Sequence, residues 1–172
     1  MANANISFDD EQNVFHLSNR QISYLIQIEE GGLLSHLYFG KKITKYHGSR
    51  HYPRLDRGFS PNLAGEPHQT DRSYSKDTLL QEYGGYNTGD FRQAAIKIQG
   101  ANGAQASDFR FQSFKIVNGK PHLDRLPQAY VLSEDEAKTL IINLVDSTLN
   151  AQVSLYYTIY NDRPVVARST KI

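Results

Sequence analysis

Between Lys45 and Asp90 the sequence gathers several side chains able to do chemistry. Glu82 and Asp90 are two carboxylates that could divide general acid and general base work, which requires their environments to push their titrations apart. The plainer reading is that they cap turns and pair with arginines, since any acidic loop offers such pairs. His47 and His51 have the i, i+4 spacing of a helical metal pair, but Gly48, the nearby Pro53 and the missing apolar face argue against a helix. Surface or loop-packing histidines are expected there. Gly84-Gly85-Tyr86-Asn87-Thr88-Gly89 is not a phosphate loop, because the Lys-Ser/Thr and the helix that should follow are missing. With no cysteine, disulfides and thiolate metal sites are excluded. No cofactor and no metal site are expected.

The elements that must position these residues read as strands. Ile22, Tyr24, Ile26 and Ile28 alternate with Ser23, Gln27 and Glu29, the period of a strand with one wet face. Glu29-Glu30-Gly31-Gly32 reads as a turn, and Leu33 to Phe39 as the returning strand. Further strands are expected at Ile96-Lys97-Ile98-Gln99, at Phe109-Arg110-Phe111 running on to Phe114-Lys115-Ile116, and at Ala129-Tyr130-Val131-Leu132. The change of parity between 111 and 114 predicts a bulge, and Asn118-Gly119 predicts a turn. Leu140, Ile142 and Leu144, then Val153, Leu155, Tyr157 and Ile159, give two more alternating runs, and Val165 to Ile172 still reads as strand where the sequence stops. No long window keeps a 3.6-residue period. The fold expected is all-β: a mostly antiparallel β-sandwich, with little helix and one long irregular loop. The 11 tyrosines and 8 phenylalanines, without a tryptophan, lean the same way.

From Lys45 to about Asp90 there is no period, and only Thr78 to Glu82 could pass for a strand or one turn of helix. Loops beyond about 12–15 residues are uncommon unless functional or disordered, and the aromatic and arginine content argues against disorder. An ordered excursion that meets something outside the domain is expected.

At 172 residues one domain with a sizeable core is the working count. The 19 Lys and Arg against 18 Asp and Glu leave a formal charge of +1, which gives no electrostatic reason to expect nucleic acid or an anionic membrane as partner. The start lacks the basic and apolar regions of a secretory signal, and no apolar run approaches the ~20 residues that span a bilayer. The cytoplasm is the expected compartment.

Within the excursion the sequence reads Arg54-Leu55-Asp56-Arg57-Gly58-Phe59-Ser60-Pro61-Asn62, then Asp71-Arg72-Ser73-Tyr74 to Tyr83, and Gly85-Tyr86-Asn87-Thr88-Gly89-Asp90-Phe91-Arg92. Together with His36 to Lys41, Ser107 to Arg110, Gly119-Lys120-Pro121, Leu126 to Tyr130 and Asp162 to Ser169, these words resemble, in order, the N-terminal β-sandwich (supersandwich) domain of family 36 α-galactosidases. Lys76 and Gly84 depart from the pattern, standing where an apolar residue and a proline are more usual.

The resemblance implies that residues 1–172 are an N-terminal domain, incomplete at its C-terminus, of an enzyme that releases terminal α-linked galactose from melibiose- or raffinose-type oligosaccharides by a retaining mechanism. The two catalytic carboxylates would lie in a (β/α)8 barrel, followed by a C-terminal β domain, neither of which is in this sequence, so the chain alone is expected to be inactive. Partners implied are that barrel, neighbouring subunits of a tetramer and the α-galactoside. Asp56 and Arg72 match the loop residues that touch the galactose, and a carboxylate with a guanidinium suits a hydroxyl that both donates and accepts. Phe59, Tyr74, Tyr83 and Tyr86 could rim a sugar face, with loop packing the plainer reading for each. The alternative function is a free-standing carbohydrate-binding or protein-interaction sandwich.

Overall fold

The computed structural model describes residues 3–48, 56–86 and 88–172. His51, Pro53, Arg54, Leu55 and Asn87, named above, lie outside them. Two four-stranded antiparallel sheets face each other, each a meander in which every strand pairs with its neighbour in sequence. The first sheet contains β1 (Asn5–Asp9), β2 (Val14–Ser18), β3 (Ile22–Ile28) and β4 (Leu34–Lys41). The second contains β5 (Arg110–Asn118), β6 (Ala137–Asp146), β7 (Ala151–Tyr160) and β8 (Val166–Lys171). Among the described residues the only helical pieces are two 3₁₀ turns, Lys76–Thr78 and Glu134–Glu136, and no helix is long and apolar enough to cross a membrane.

The alternating residues place the core. Ile22, Tyr24 and Ile26 of β3 meet Leu140, Ile142 and Leu144 of β6 and Val153, Leu155, Tyr157 and Ile159 of β7 in one apolar cluster, with Phe15 and Leu17 from β2. Removing each such side chain from water contributes about 1.5–3 kcal/mol. Aromatic rings bridge the sheets at one end, where Phe8 lies 5.0 Å and Phe15 4.9 Å from Phe114. Asn19 clasps the sheets at the opposite edge. Its amide donates to the carbonyls of Tyr160 and Arg163, while its oxygen accepts from the backbone of Gln21 and Ile22.

The β3–β4 turn needs its paired glycines, since Gly31 and Gly32 have φ of 83° and 85°, a region that side chains disfavour. The expected bulge is present, as a register shift between Phe111 and Ser113. Three expectations need correction. The wet face of β3 is dry in its middle, with Ser23 and Leu25 fully buried; the chain after β4 folds back, so that the Ser23 hydroxyl accepts from Ile43 N at 3.0 Å. Residues 96–99 form no strand. Ile96 and Ile98 still pack on the core, and such an extended segment alternates as a strand does without a partner edge. Residues 129–132 also form no strand, and Tyr130 and Leu132 are exposed.

Candidate functional site

The long excursion runs from the end of β4 to the start of β5 and carries both candidate sugar-contacting residues. Arg72 Nη2 stands 2.8 Å from Asp56 Oδ1, with side chains 52% and 77% exposed. A surface pair of this kind contributes only ~0–1 kcal/mol to stability. Its surroundings are better fixed. The Asn62 amide nitrogen lies 3.0 Å from each of the carbonyl oxygens of His68, Asp71 and Tyr74. Asp71 accepts from the backbone and hydroxyl of Ser73 and from Tyr74 N, which turns the chain at Arg72. Tyr74 stacks on His68 with 3.8 Å between ring centres and is buried with Leu33 and Leu79 in a small second core. Beside Asp56, Arg57 reaches Asp77 at 3.5 Å, and its buried Nη1 has no hydrogen-bond partner among the described residues.

Glu82 and Asp90 each have their own arginine. Glu82, with its side chain 2% exposed, accepts from Arg168 of β8 at 2.8 Å and from the Tyr24 hydroxyl at 2.6 Å, and lies 3.2 Å from His36 Nδ1. It thereby ties the loop to both sheets. Burial pushes its carboxyl up, but the His36 hydrogen bond, the Arg168 charge and the Tyr24 hydroxyl more than offset this, so it ends below its ordinary value. Arg92 grips Asp90 through Nε at 2.9 Å and Nη2 at 2.5 Å and also donates to the Leu79 carbonyl. Burial raises the Asp90 carboxyl, and the Arg92 contacts bring it below its ordinary value. A general acid needs the opposite shift. The geometry therefore makes these two carboxylates loop fasteners.

Of the four aromatic residues considered for a sugar rim, Tyr74 is buried, Tyr83 packs edge-on to Phe109 at 6.3 Å and Tyr86 lies under the Lys97 ammonium at 4.7 Å. Phe59 is exposed. His47 sits in irregular chain, and among the described residues no three His, Asp or Glu side chains are gathered as a metal set. Gly85 has a steric reason, since a Cβ there would meet the Ser107 carbonyl oxygen at 2.1 Å. Gly84 has none, its added Cβ touching only Gln81 at 3.8 Å. Sequence reading missed the bracing by Asn62, whose amide serves backbone carbonyls, and by Lys76, whose ammonium pairs with carboxylates, because neither leaves a periodic signal.

The profile of the glycosyl hydrolase family 36 N-terminal domain matches residues 32–172. The chain belongs to that family. This family 36 domain is 47% identical to α-galactosidase Mel36A of Lactobacillus acidophilus over 97% of its own length, and spans 22% of that protein. It is similar to the crystal structure of α-galactosidase AgaB from Geobacillus stearothermophilus, with a TM-score of 0.84, 40% identity and coverage of 96% of this chain and 22% of the other. It is also similar to a variant of α-galactosidase AgaA from the same organism solved with raffinose, with a TM-score of 0.82, 44% identity and coverage of 91% and 21%. The family 36 domain thus accounts for about a fifth of the length of each of these relatives.

Proposed function

We propose that this chain is the N-terminal domain of an α-galactosidase, a retaining glycosidase that releases terminal α-linked galactose from melibiose- or raffinose-type oligosaccharides, and that it supplies binding and assembly rather than bond cleavage. Family membership, with 47% identity to a full-length α-galactosidase, carries the reading. A retaining glycosidase needs two carboxyl groups ~5–5.5 Å apart, one of them able to donate a proton. Glu82 and Asp90, the carboxylates whose titration is displaced here, are both moved the wrong way for that task, which supports placing the chemistry in a barrel outside these residues. The intact protein would act in the cytoplasm as a tetramer.

In this reading the loop forms one wall of a neighbouring subunit's sugar pocket. Asp56 and Arg72 present a carboxylate and a guanidinium side by side in solvent, and both can exchange their mutual contact for hydroxyls of galactose. The partly exposed pair on a braced loop supports this. Asp56→Ala and Arg72→Ala in the full-length enzyme should each lose about 1–3 kcal/mol of transition-state stabilisation, roughly 5- to 150-fold in kcat/KM, because a hydrogen-bonding partner is left unpaired. Oligomer mass and Tm should stay at their wild-type values. Wild-type kcat/KM in both variants would sink the sugar-contact role and leave the loop with assembly alone.

A further inference from the structure

Lys76 is the one lysine of the loop that is buried, its side chain 4% exposed. Its ammonium lies 3.0 Å from Glu66 Oε1 and 3.3 Å from Asp108 Oδ1. Arg110 Nη2 lies 2.8 Å from the same Glu66 oxygen and 2.8 Å from Asp108 Oδ2. The four groups close a ring of alternating charge: Lys76, Glu66, Arg110, Asp108 and back to Lys76. Lys76 and Glu66 lie in the middle of the loop. The other two stand at the approach to β5 and at its first residue, and Arg110 Nη1 also donates to the Gly31 carbonyl in the β3–β4 turn. The ring therefore fastens the loop to an edge strand of one sheet and a turn of the other.

The backbone at Lys76 is a second junction. Its carbonyl accepts from Leu79 N and from Arg92 Nη2. The next residue, Asp77, holds Arg57, the neighbour of Asp56. On the preceding side, Ser75 and the buried Tyr74 lead back to the Asp71 turn that carries Arg72. Both halves of the loop that present the exposed pair thus converge on one lysine. Its removal leaves two carboxylates around one guanidinium in a largely dry place, an uncompensated charge that the loop can relieve only by opening.

We propose that Lys76 is the positioning residue of the Asp56–Arg72 segment, its buried ammonium closing the ring with Glu66, Arg110 and Asp108 that holds this segment in place for a sugar. The functional half rests on the reading of Asp56 and Arg72 as sugar contacts. The ring does not touch the sugar; it acts through the loop. A role in bulk stability alone would loosen strands and loop together, whereas a positioning role loosens the loop selectively.

Hydrogen exchange on the 172-residue chain separates the two. In Lys76→Met, amides of residues 57–75 should exchange about tenfold faster or more, while those of β3, β6 and β7 keep their wild-type rates, as expected for a local opening. Lys76→Arg, which keeps the charge, should recover most of the protection, and Glu66→Gln should reproduce the loosening if Lys76→Met folds poorly. In the full-length α-galactosidase, Lys76→Met should raise KM several-fold with a smaller change in kcat. Equal acceleration in strands and loop, or unchanged exchange over 57–75, overturns the proposal. So does a wild-type KM in Lys76→Met where Asp56→Ala raises KM. If Asp56→Ala and Arg72→Ala also keep wild-type KM, the sugar reading fails on its own account, and the exchange data alone decide the role of Lys76.

Discussion

Between the sheets the fully buried side chains include Phe15, Leu17, Ile26, Leu140, Ile142 and Val153, whereas in the long loop the buried residues include Ser75, Lys76, Glu82 and Asp90 beside Tyr74 and Leu79. The first region is held by apolar area, which is non-directional and tolerates rearrangement of volume. The second is held by charge pairs and shared carbonyls, which fix geometry but contribute only when every partner is in place. Bracing of the second kind leaves the Asp56–Arg72 pair exposed, whereas an apolar core large enough to fix the loop would cover part of that surface.

The largest effect expected from breaking this contrast lies in the sandwich. Ile142→Ala removes a fully buried side chain of the central strand β6, and should cost about 2–5 kcal/mol in urea or guanidinium denaturation, lowering the midpoint for the whole chain. Next comes Gly85→Ala, where the new Cβ must push the loop away from Ser107 and break the Tyr86–Ser107 hydrogen bonds. A cost of about 1–3 kcal/mol is expected, with proteolysis at residues 83–92 rising before the strands unfold. Nicking that stays at wild-type levels would show that the contact is not needed.

The smallest expected effect is the acid dependence of the loop's fasteners. Glu82 and Asp90 have folded-state values below their ordinary 4.5 and 3.8. Their stabilisation is therefore fully present above those ordinary values and is lost as pH falls through the folded ones. Denaturation midpoints should hold steady from neutral pH to about 5 and then fall. Glu82→Gln should be less stable at neutral pH and show a shallower acid slope. An unchanged slope would mean that other carboxylates govern acid unfolding.

The difference between the two regions also explains what the sequence made legible. β3, β6 and β7 were readable because apolar side chains at every second position face the core, and a period of two records that; β4, β8 and the bulge in β5 were readable from residue type and parity, although β5 and β8 bury no side chain fully. The β1–β2 hairpin carries the same signal, in Ile6 and Phe8 followed by Phe15 and Leu17 around an Asp9-to-Asn13 turn, and was overlooked. The period also misled at 96–99, where an extended segment packs Ile96 and Ile98 on the core without joining a sheet. For the loop no period exists. That Glu82 and Asp90 pair with arginines followed from residue type. Which arginine serves which carboxylate was not inferable, since Arg168 lies far along the chain from Glu82. Asp56 and Arg72 were singled out by family resemblance alone, because two exposed charges have no packing signature.

The meander order of both sheets has a consequence for how the chain reaches its fold. Every strand pairs with its immediate neighbour, so each sheet can zip from hairpins whose contacts are short in sequence, the fast part of folding. The pairing of the two sheets with each other is the non-local part, and the excursion between β4 and β5 tethers them. The entropy of closing such a tether grows only with the logarithm of its length, about 0.6 kcal/mol for each doubling. Added residues in that segment are therefore thermodynamically cheap. The architecture allows the excursion to vary in length and content while both sheets keep their register.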